Sequence, residues 1–259
     1  MLNEKIIEEI KNIELTKDVT ILFACESGSR AWGFPSKDSD YDVRFIYIHP
    51  PEWYLSIDEK RDVIELPIND LLDINGWDIR KALKLFRKSN PPLQEWLSSE
   101  IVYYRSFSFV DKLRKMSSEV FSPISCMYHY LSMARGNYRE FLQGERVKIK
   151  KYFYVLRPVL ACKWIEKYNT MPPILFQDLV NDIVPSGILN EEISKLLERK
   201  INGDELDFEP RINVINEFIE NEIDHIDAFI KTIKHSSENP TEKLDRLFRD
   251  TLKEVYSSS

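Results

Sequence analysis

The chain has 259 residues, 43% of them hydrophobic and 31% charged, which is a globular composition with room for one large domain or two smaller ones. Its net charge of −7 excludes an overall basic footprint for nucleic acid, although an acidic protein can still carry a local basic face that binds RNA. No apolar run approaches the roughly 20 residues that a membrane-spanning helix needs.

The cysteines and the N-terminus indicate a compartment. Cys25, Cys126 and Cys162 are odd in number, form no closely spaced pair and lie in apolar surroundings. This pattern predicts buried free thiols and therefore a reducing environment. Residues 1–14 are acidic and amphipathic, unlike a signal peptide. We expect a cytoplasmic protein.

The first part of the chain mixes helical and strand patterns. Helical spacing of isoleucines predicts a helix over 3–14, and the period changes back to helical at Asn75. Asn75 is predicted to cap that helix with Asp78 in its first turn, and Pro91-Pro92 open the next helix. Strands are predicted at 19–26, 41–49, 62–68 and 71–74, the last two being separate strands or one strand broken at Pro67.

After about residue 107 the spacing of apolar residues is helical almost throughout. The sequence therefore predicts an α+β protein, in which a domain of strands and helices (1–105) precedes an all-helical domain (106–259). Predicted helices are 123–143, 148–168 with a kink at Pro158, 175–183, 189–200, 211–234 and 240–255.

The most informative motif lies between the first two predicted strands. A buried strand ends in Gly28-Ser29, ten residues follow, and Asp40-Tyr41-Asp42 opens the next strand. Residues i and i+2 of a strand share a face, so the two carboxylates are expected side by side, where they can bind divalent cations. Backbone N–H groups at Gly28-Ser29 would lie near a phosphate. Together these parts indicate phosphoryl or nucleotidyl transfer with two metal ions.

This motif resembles the signature of DNA polymerase β-type nucleotidyltransferases, which have Gly-Gly or Gly-Ser, a similar spacer, Asp-x-Asp and a third acid on a later strand. The segments GSRAWGF, SDYDVRF and GWDIRKALKLFRKSNPPLQEWL are similar to the RlaP/YcgL-type nucleotidyltransferases, a family named for an association with RNA repair. The resemblance is strong over 20–105 and weaker at KKYFYVLRPVLACKWI. It implies a small mixed sheet flanked by helices, and an appended helical domain that is expected to shape the acceptor or nucleotide site. It indicates the reaction class better than the substrate.

A third acid is needed to complete such a site. Asp73 is the predicted residue, because it interrupts the apolar run Leu72-Asp73-Ile74 just before a helix. Asp70 and Asp78 are the alternatives, and helix capping alone explains Asp78.

Two arginines lie close to the motif. Arg30 follows Gly28-Ser29 and either reaches the triphosphate or pairs with a nearby acid. Arg44, two residues after Asp42, shares the acid face and either binds phosphate, orients a carboxylate or forms a plain ion pair.

Further basic residues are predicted to bind the nucleotide. In the basic helix after Asp78, Lys81 is the favoured residue, and a solvated helix face is the alternative. In the helical half, contacts to the triphosphate or an RNA backbone are predicted for Lys151, Tyr152 and Arg157, with an ordinary amphipathic helix pair as the alternative.

The resulting hypothesis is an enzyme that moves a nucleoside monophosphate from an NTP to a hydroxyl acceptor, with an RNA 3′ end favoured, and releases pyrophosphate. The acid pair and Asp73 would hold two Mg²⁺ ions, with Mn²⁺ as an alternative, while Gly28, Ser29 and Arg30 would hold the phosphates. The alternatives are an NTP- or RNA-binding module without turnover, and transfer to a protein side chain (AMPylation) or a small molecule. The oligomeric state is left open.

Overall fold

A computed structural model describes residues 2–37, 39–68, 71–204, 206–233 and 239–257. The chain forms two compact units. The sheet unit comprises Met1–Ala31, Asp40–Val120 and Ser237–Ser259, and the helical unit comprises Trp32–Ser39 and Phe121–Ser236.

These units do not follow the linear division at residue 105 that the sequence suggests. The helix at 109–120 and the C-terminal helix bury Phe109, Leu113 and Leu247 in the same apolar core as strand residues Ile46 and Ile48. Burial against the sheet therefore joins both helices to the sheet unit.

The sheet is mixed, as the sequence predicts. Its strands are β1 (Thr20–Ser27), β2 (Tyr41–Ile48), β3 (Val63–Glu65), β4 (Leu72–Asp78) and β5 (Val102–Arg105), and their order is β3-β4-β2-β1-β5. The pair β2–β4 is parallel, whereas β1–β2, β1–β5 and β3–β4 are antiparallel. The predicted α+β class is confirmed.

Twelve helices are described. The sheet unit has α1 (Leu2–Lys17), α2 (Gly28–Ala31), α3 (Pro51–Tyr54), α4 (Ile79–Arg87), α5 (Pro91–Ser98), α6 (Phe109–Val120) and α12 (Thr241–Tyr256). The helical unit has α7 (Pro123–Phe141), α8 (Lys151–Tyr168), α9 (Phe176–Ile183), α10 (Ile188–Asn202) and α11 (Asn213–Ile230), with short strands β6 (Arg146–Lys148) and β7 (Phe208–Pro210). None of the described helices has the length and apolar character to cross a membrane.

Helices cover both faces of the five-stranded sheet. On one face α1 buries Ile6, Ile10 and Ile13 against strand residues that include Val43 and Phe45. On the other face α4, α5, α6 and α12 form a second apolar core. Successive residues of β2 face these two cores in turn. The first two residues of β2 are only half-buried, so polar side chains can be placed there.

The predicted helix start at Asn75 is wrong. β4 continues to Asp78, and Asp78 caps α4 by accepting a hydrogen bond from the Arg80 N–H at 2.8 Å. Asn75 is paired with Arg44 on one side and with Glu65 on the other. Two neighbouring strands thus hold this segment extended, which overrides its local capping signal.

The helical unit contains the segment that links the two halves of the Gly-Ser and Asp-x-Asp motif. Phe34 is 3% exposed and stacks on Phe153 with ring centroids 5.0 Å apart. The Phe176 N–H donates to the Trp32 carbonyl at 2.9 Å, and the Lys200 ammonium donates to a serine hydroxyl of this segment at 2.8 Å. Residues 32–37 and Ser39 are therefore part of the helical core and its polar edge.

We expect Gly76→Ala to destabilise the protein by about 1–3 kcal/mol. A Cβ at Gly76 would overlap the ring of Phe45, which is fully buried and cannot move away. The matched control is Gly136→Ala, in the exposed middle of α7, where a Cβ meets nothing within 4 Å. Urea unfolding should show the control unchanged or stabilised by about 1 kcal/mol. Equal midpoints for the two variants would contradict the close packing of β4 on β2.

Candidate active site

Parallel pairing of β2 with β4 brings two acids together. Asp42 and Asp73 are each the second residue of their strand, and they are direct register partners. Asp40 lies two residues before Asp42, exposed, at the entrance to β2. Of the alternatives for the third acid, Asp70 lies outside the described residues, and Asp78 lies five residues beyond Asp73, at the other end of β4.

Arg44 bridges the paired acids. Its Nη2 donates to Asp42 Oδ1 at 2.9 Å and to Asp73 Oδ2 at 2.8 Å, while Nη1 donates to the Asp73 carbonyl at 2.8 Å. Oxygens of two carboxylates thus converge on one cationic nitrogen. Among the roles considered for Arg44, this geometry is that of an ion pair that orients carboxylates.

Partial burial makes the charge of Asp42 expensive. Burial raises the pKa of Asp42, the Arg44 guanidinium opposes that rise, and the negative charges of Asp73 and Asp40 add to it. The site therefore favours a cation next to Asp42.

Gly28 allows the two halves of the motif to meet. Its φ is +61°, a left-handed conformation that glycine adopts without strain, and a Cβ there would overlap the Asp42 carboxylate. The carboxylate thus lies directly against the bare Cα of Gly28. Ser29 follows in the short helix α2.

Arg30 connects the Gly28-Ser29 segment to the residues that enter β2. Its Nε donates to the Asp40 carbonyl at 3.2 Å, and its guanidinium lies 3.6 Å from the centre of the Tyr41 ring. The cation therefore lies at the entrance to β2, next to the Gly28-Ser29 backbone.

Sequence reasoning missed Glu26, the residue that ends the apolar part of β1. Glu26 is fully buried, its Oε1 accepts the Asp42 N–H at 2.8 Å, and its Oε2 accepts the Tyr103 hydroxyl hydrogen bond. Burial raises the pKa of Glu26. The available signal was an acid directly after the buried run, since a buried carboxylate is costly unless it is hydrogen-bonded.

The other predicted nucleotide ligands have partners of their own. Lys81 lies in the first turn of α4, and its ammonium is 3.2 Å from an Asp62 carboxylate oxygen. This turn follows the last residue of β4, whereas Asp73 is near the first. In the helical unit, the Lys151 ammonium lies 4.1 Å from the Phe141 ring centre. Two further predicted ligands are buried there: Tyr152, whose hydroxyl accepts the Ile212 N–H at 2.9 Å, and Arg157, which is 3% exposed and lies 4.6 Å from the Trp32 ring centre.

The acids fit a divalent cation in their chemistry. Carboxylate oxygens are the ligands that Mg²⁺ prefers, and two of them already face one position occupied by a positive nitrogen. As the side chains stand, no group of three or more His, Cys, Asp or Glu among the described residues is arranged to hold a metal ion. Arg44 fills the space between Asp42 and Asp73.

Comparison with known proteins shows that this chain is similar to a known family over nearly its whole length, beyond the Gly-Ser and Asp-x-Asp motif. The model of a family described as RlaP, RNA repair pathway DNA polymerase beta family, matches residues 2–250. The uncharacterized protein YcgL of Bacillus subtilis (strain 168) is 56% identical over 255 residues, which are 98% of each chain. A nucleotidyltransferase-like protein from Exiguobacterium sibiricum 255-15 superimposes with a TM-score of 0.34 and 10% identity, over 88% of this chain and 75% of that one. The family match includes both compact units.

We expect Arg44→Met to lower the free energy of unfolding by about 1–3 kcal/mol in the absence of divalent cations, since it leaves two neighbouring carboxylates without their counter-charge. Added Mg²⁺ should reduce this loss. The control is Arg61→Met, which removes the exposed ion pair with Glu65 and should cost less than about 1 kcal/mol. Urea unfolding with EDTA or with Mg²⁺ measures both. Identical losses in the two variants would show that Arg44 does not neutralise the acids.

Proposed function

Because this chain belongs to the RlaP family, the RNA repair pathway DNA polymerase beta family, its general function is nucleotidyl transfer, and we propose that it is a metal-dependent enzyme that uses an NTP. It would form a bond between an acceptor hydroxyl oxygen and the α-phosphorus, and release pyrophosphate. The observation that carries this proposal is the pairing of Asp42 with Asp73, whose oxygens face one cation position. The family description names RNA repair, which supports RNA as the acceptor, and an RNA 3′ end stays the favoured prediction.

The acids are the proposed metal ligands. Asp40, Asp42 and Asp73 would hold two Mg²⁺ ions, or Mn²⁺, which when bound activate the hydroxyl and neutralise the leaving pyrophosphate. Arg44 competes with cations for the Asp42 and Asp73 oxygens, so it keeps the acids ordered before the substrate arrives. The competition also favours a cation that arrives together with an anionic nucleotide, because the triphosphate offers the guanidinium a new partner.

The phosphates are proposed to lie along Gly28, Ser29 and Arg30. The bare Cα of Gly28 lets the Asp42 carboxylate lie directly beside this backbone, and Arg30 supplies a guanidinium at the same edge. The proposal does not depend on Lys81, Lys151, Tyr152 or Arg157, which stay predictions. All three cysteines are free and buried, which supports a reducing, cytoplasmic setting.

The test incubates purified protein with each α-labelled NTP, Mg²⁺ or Mn²⁺, and total cellular RNA or none. Asp42→Asn keeps the shape of the side chain but removes its charge, so label transfer should fall at least about 100-fold while the unfolding midpoint stays close to that of the parent. Label on RNA supports the favoured acceptor, whereas label on protein or a small molecule reassigns it. Normal activity of Asp42→Asn would overturn the assignment. Metal-dependent NTP binding without transfer to any acceptor would favour the binding module. The observation that supports this alternative is that Arg44 occupies the space between Asp42 and Asp73.

Gly28→Ala is expected to lower turnover at least about tenfold, because the added Cβ displaces the Asp42 carboxylate. Gly203→Ala is the control for backbone strain. Its φ is +83° and a Cβ there meets nothing within 4 Å, so it should lose about 1 kcal/mol of stability at unchanged turnover. Steady-state rates and unfolding midpoints separate the two effects. Equal turnover in both variants would remove Gly28 from the proposed site.

A further inference from the structure

We propose that Glu26 is a positioning residue for Asp42, whose main chain it fixes so that the carboxylate is held in place for a metal ion. This inference rests on the proposed function, because it assumes that Asp42 is a metal ligand. Glu26 itself is fully buried, and its carboxylate contacts the amide of Asp42.

Glu26 connects the strand ends around the site. Its N–H donates to the Ile101 carbonyl at 2.9 Å, and its carbonyl accepts the Ser99 hydroxyl at 2.8 Å. Its carboxylate accepts the Asp42 N–H at 2.8 Å and the Tyr103 hydroxyl. The Glu26 side chain thereby attaches the first residues of β2 to β5, and the Glu26 main chain is bonded to the segment after α5.

An acid at this position is costly. Burial of a carboxylate requires hydrogen bonds to offset its lost hydration, and the Asp42 carboxylate nearby adds repulsion. The preceding residues of β1, among them Ala24 and Cys25, are apolar and fully buried, so apolar packing is what the strand otherwise uses. What the carboxylate adds is an acceptor for the amide of Asp42. Groups that hydrogen-bond a metal ligand fix its orientation, and their loss typically costs about 10–100-fold in affinity or activity.

The sheet contains a matched control for this arrangement. Asp78 is also fully buried, and it also accepts one backbone N–H, from Arg80 at 2.8 Å, and one tyrosine hydroxyl, from Tyr54 at 2.7 Å. It lies five residues along β4 from Asp73, at the other end of the sheet. Loss of either buried carboxylate should affect stability, but only loss of Glu26 should affect Asp42.

The experiment measures Mn²⁺ binding by electron paramagnetic resonance, which requires no acceptor and no turnover. We expect Glu26→Ala to weaken Mn²⁺ binding at least about tenfold, and Glu26→Gln, whose amide oxygen can still accept the Asp42 N–H, to stay within about threefold of the parent. Asp78→Ala should bind Mn²⁺ like the parent. Where labelled transfer is measurable, the fall in kcat caused by Glu26→Ala should be larger than any change in the KM for NTP.

A second pair of variants covers the case in which Glu26→Ala does not fold. Tyr103→Phe loosens Glu26 without removing it, and Tyr54→Phe does the same to Asp78. Amide hydrogen exchange at Asp42 should accelerate in Tyr103→Phe and stay unchanged in Tyr54→Phe.

The outcomes separate this inference from the proposed function. A parent that binds Mn²⁺ but transfers no label refutes the proposed enzyme and leaves the role of Glu26 standing. Parent-like Mn²⁺ binding in Glu26→Ala, or an unchanged Asp42 amide in Tyr103→Phe, overturns the inference even if transfer is observed. A parent that binds no Mn²⁺ overturns both.

Discussion

Repulsion between two neighbouring carboxylates is the constraint around which the site is built. The parallel register of β2 and β4 leaves Asp42 and Asp73 no way to point apart, because residues paired across neighbouring strands project from the same face. Glu26 adds a third acid within reach of the Asp42 backbone. Apolar residues at these positions would avoid the repulsion, so the concentration of negative charge is the feature on which the proposed cation site rests.

The structure relieves this repulsion in two ways that do not interfere with each other. Arg44 neutralises the side of Asp42 and Asp73 that faces the site, and hydrogen bonds from Tyr103 and the Asp42 amide stabilise Glu26 on the buried side. The first arrangement is an ion pair that a stronger cation can replace. The second is built into the sheet and persists whatever binds in front of it. Arg44 is thus held by ion pairs on one side of Asp42, and the Glu26 carboxylate is held within the sheet on the other.

Much of the fold and of the motif could be predicted from the sequence, and the failures share a physical cause. The α+β class follows from periodicity, whereas the mixed sheet and a third acid on a later strand follow from the family resemblance, and the family itself is confirmed. The extension of β4 to Asp78 could not be predicted, because its extended form is imposed by strands that pair with it on both sides. The same holds for Glu26, whose partners Tyr103 and Ser99 are more than seventy residues away. Local patterns report local preferences, whereas these features depend on distant partners.

The division of the chain has a consequence for how the protein is made. Each unit is built from separate stretches of the chain: the sheet unit includes α1, α6 and α12, and the helical unit includes residues 32–37 together with α7 to α11. The core of the sheet unit includes apolar residues of α12, which is synthesised last. The core of the helical unit includes Phe34, which lies in the segment before Asp40. The sheet unit can therefore complete its core only after the last helix has been synthesised. Expression of 1–105 or 106–259 alone would give fragments with exposed core surface, and a gene fragment encoding either one would not be a transferable module.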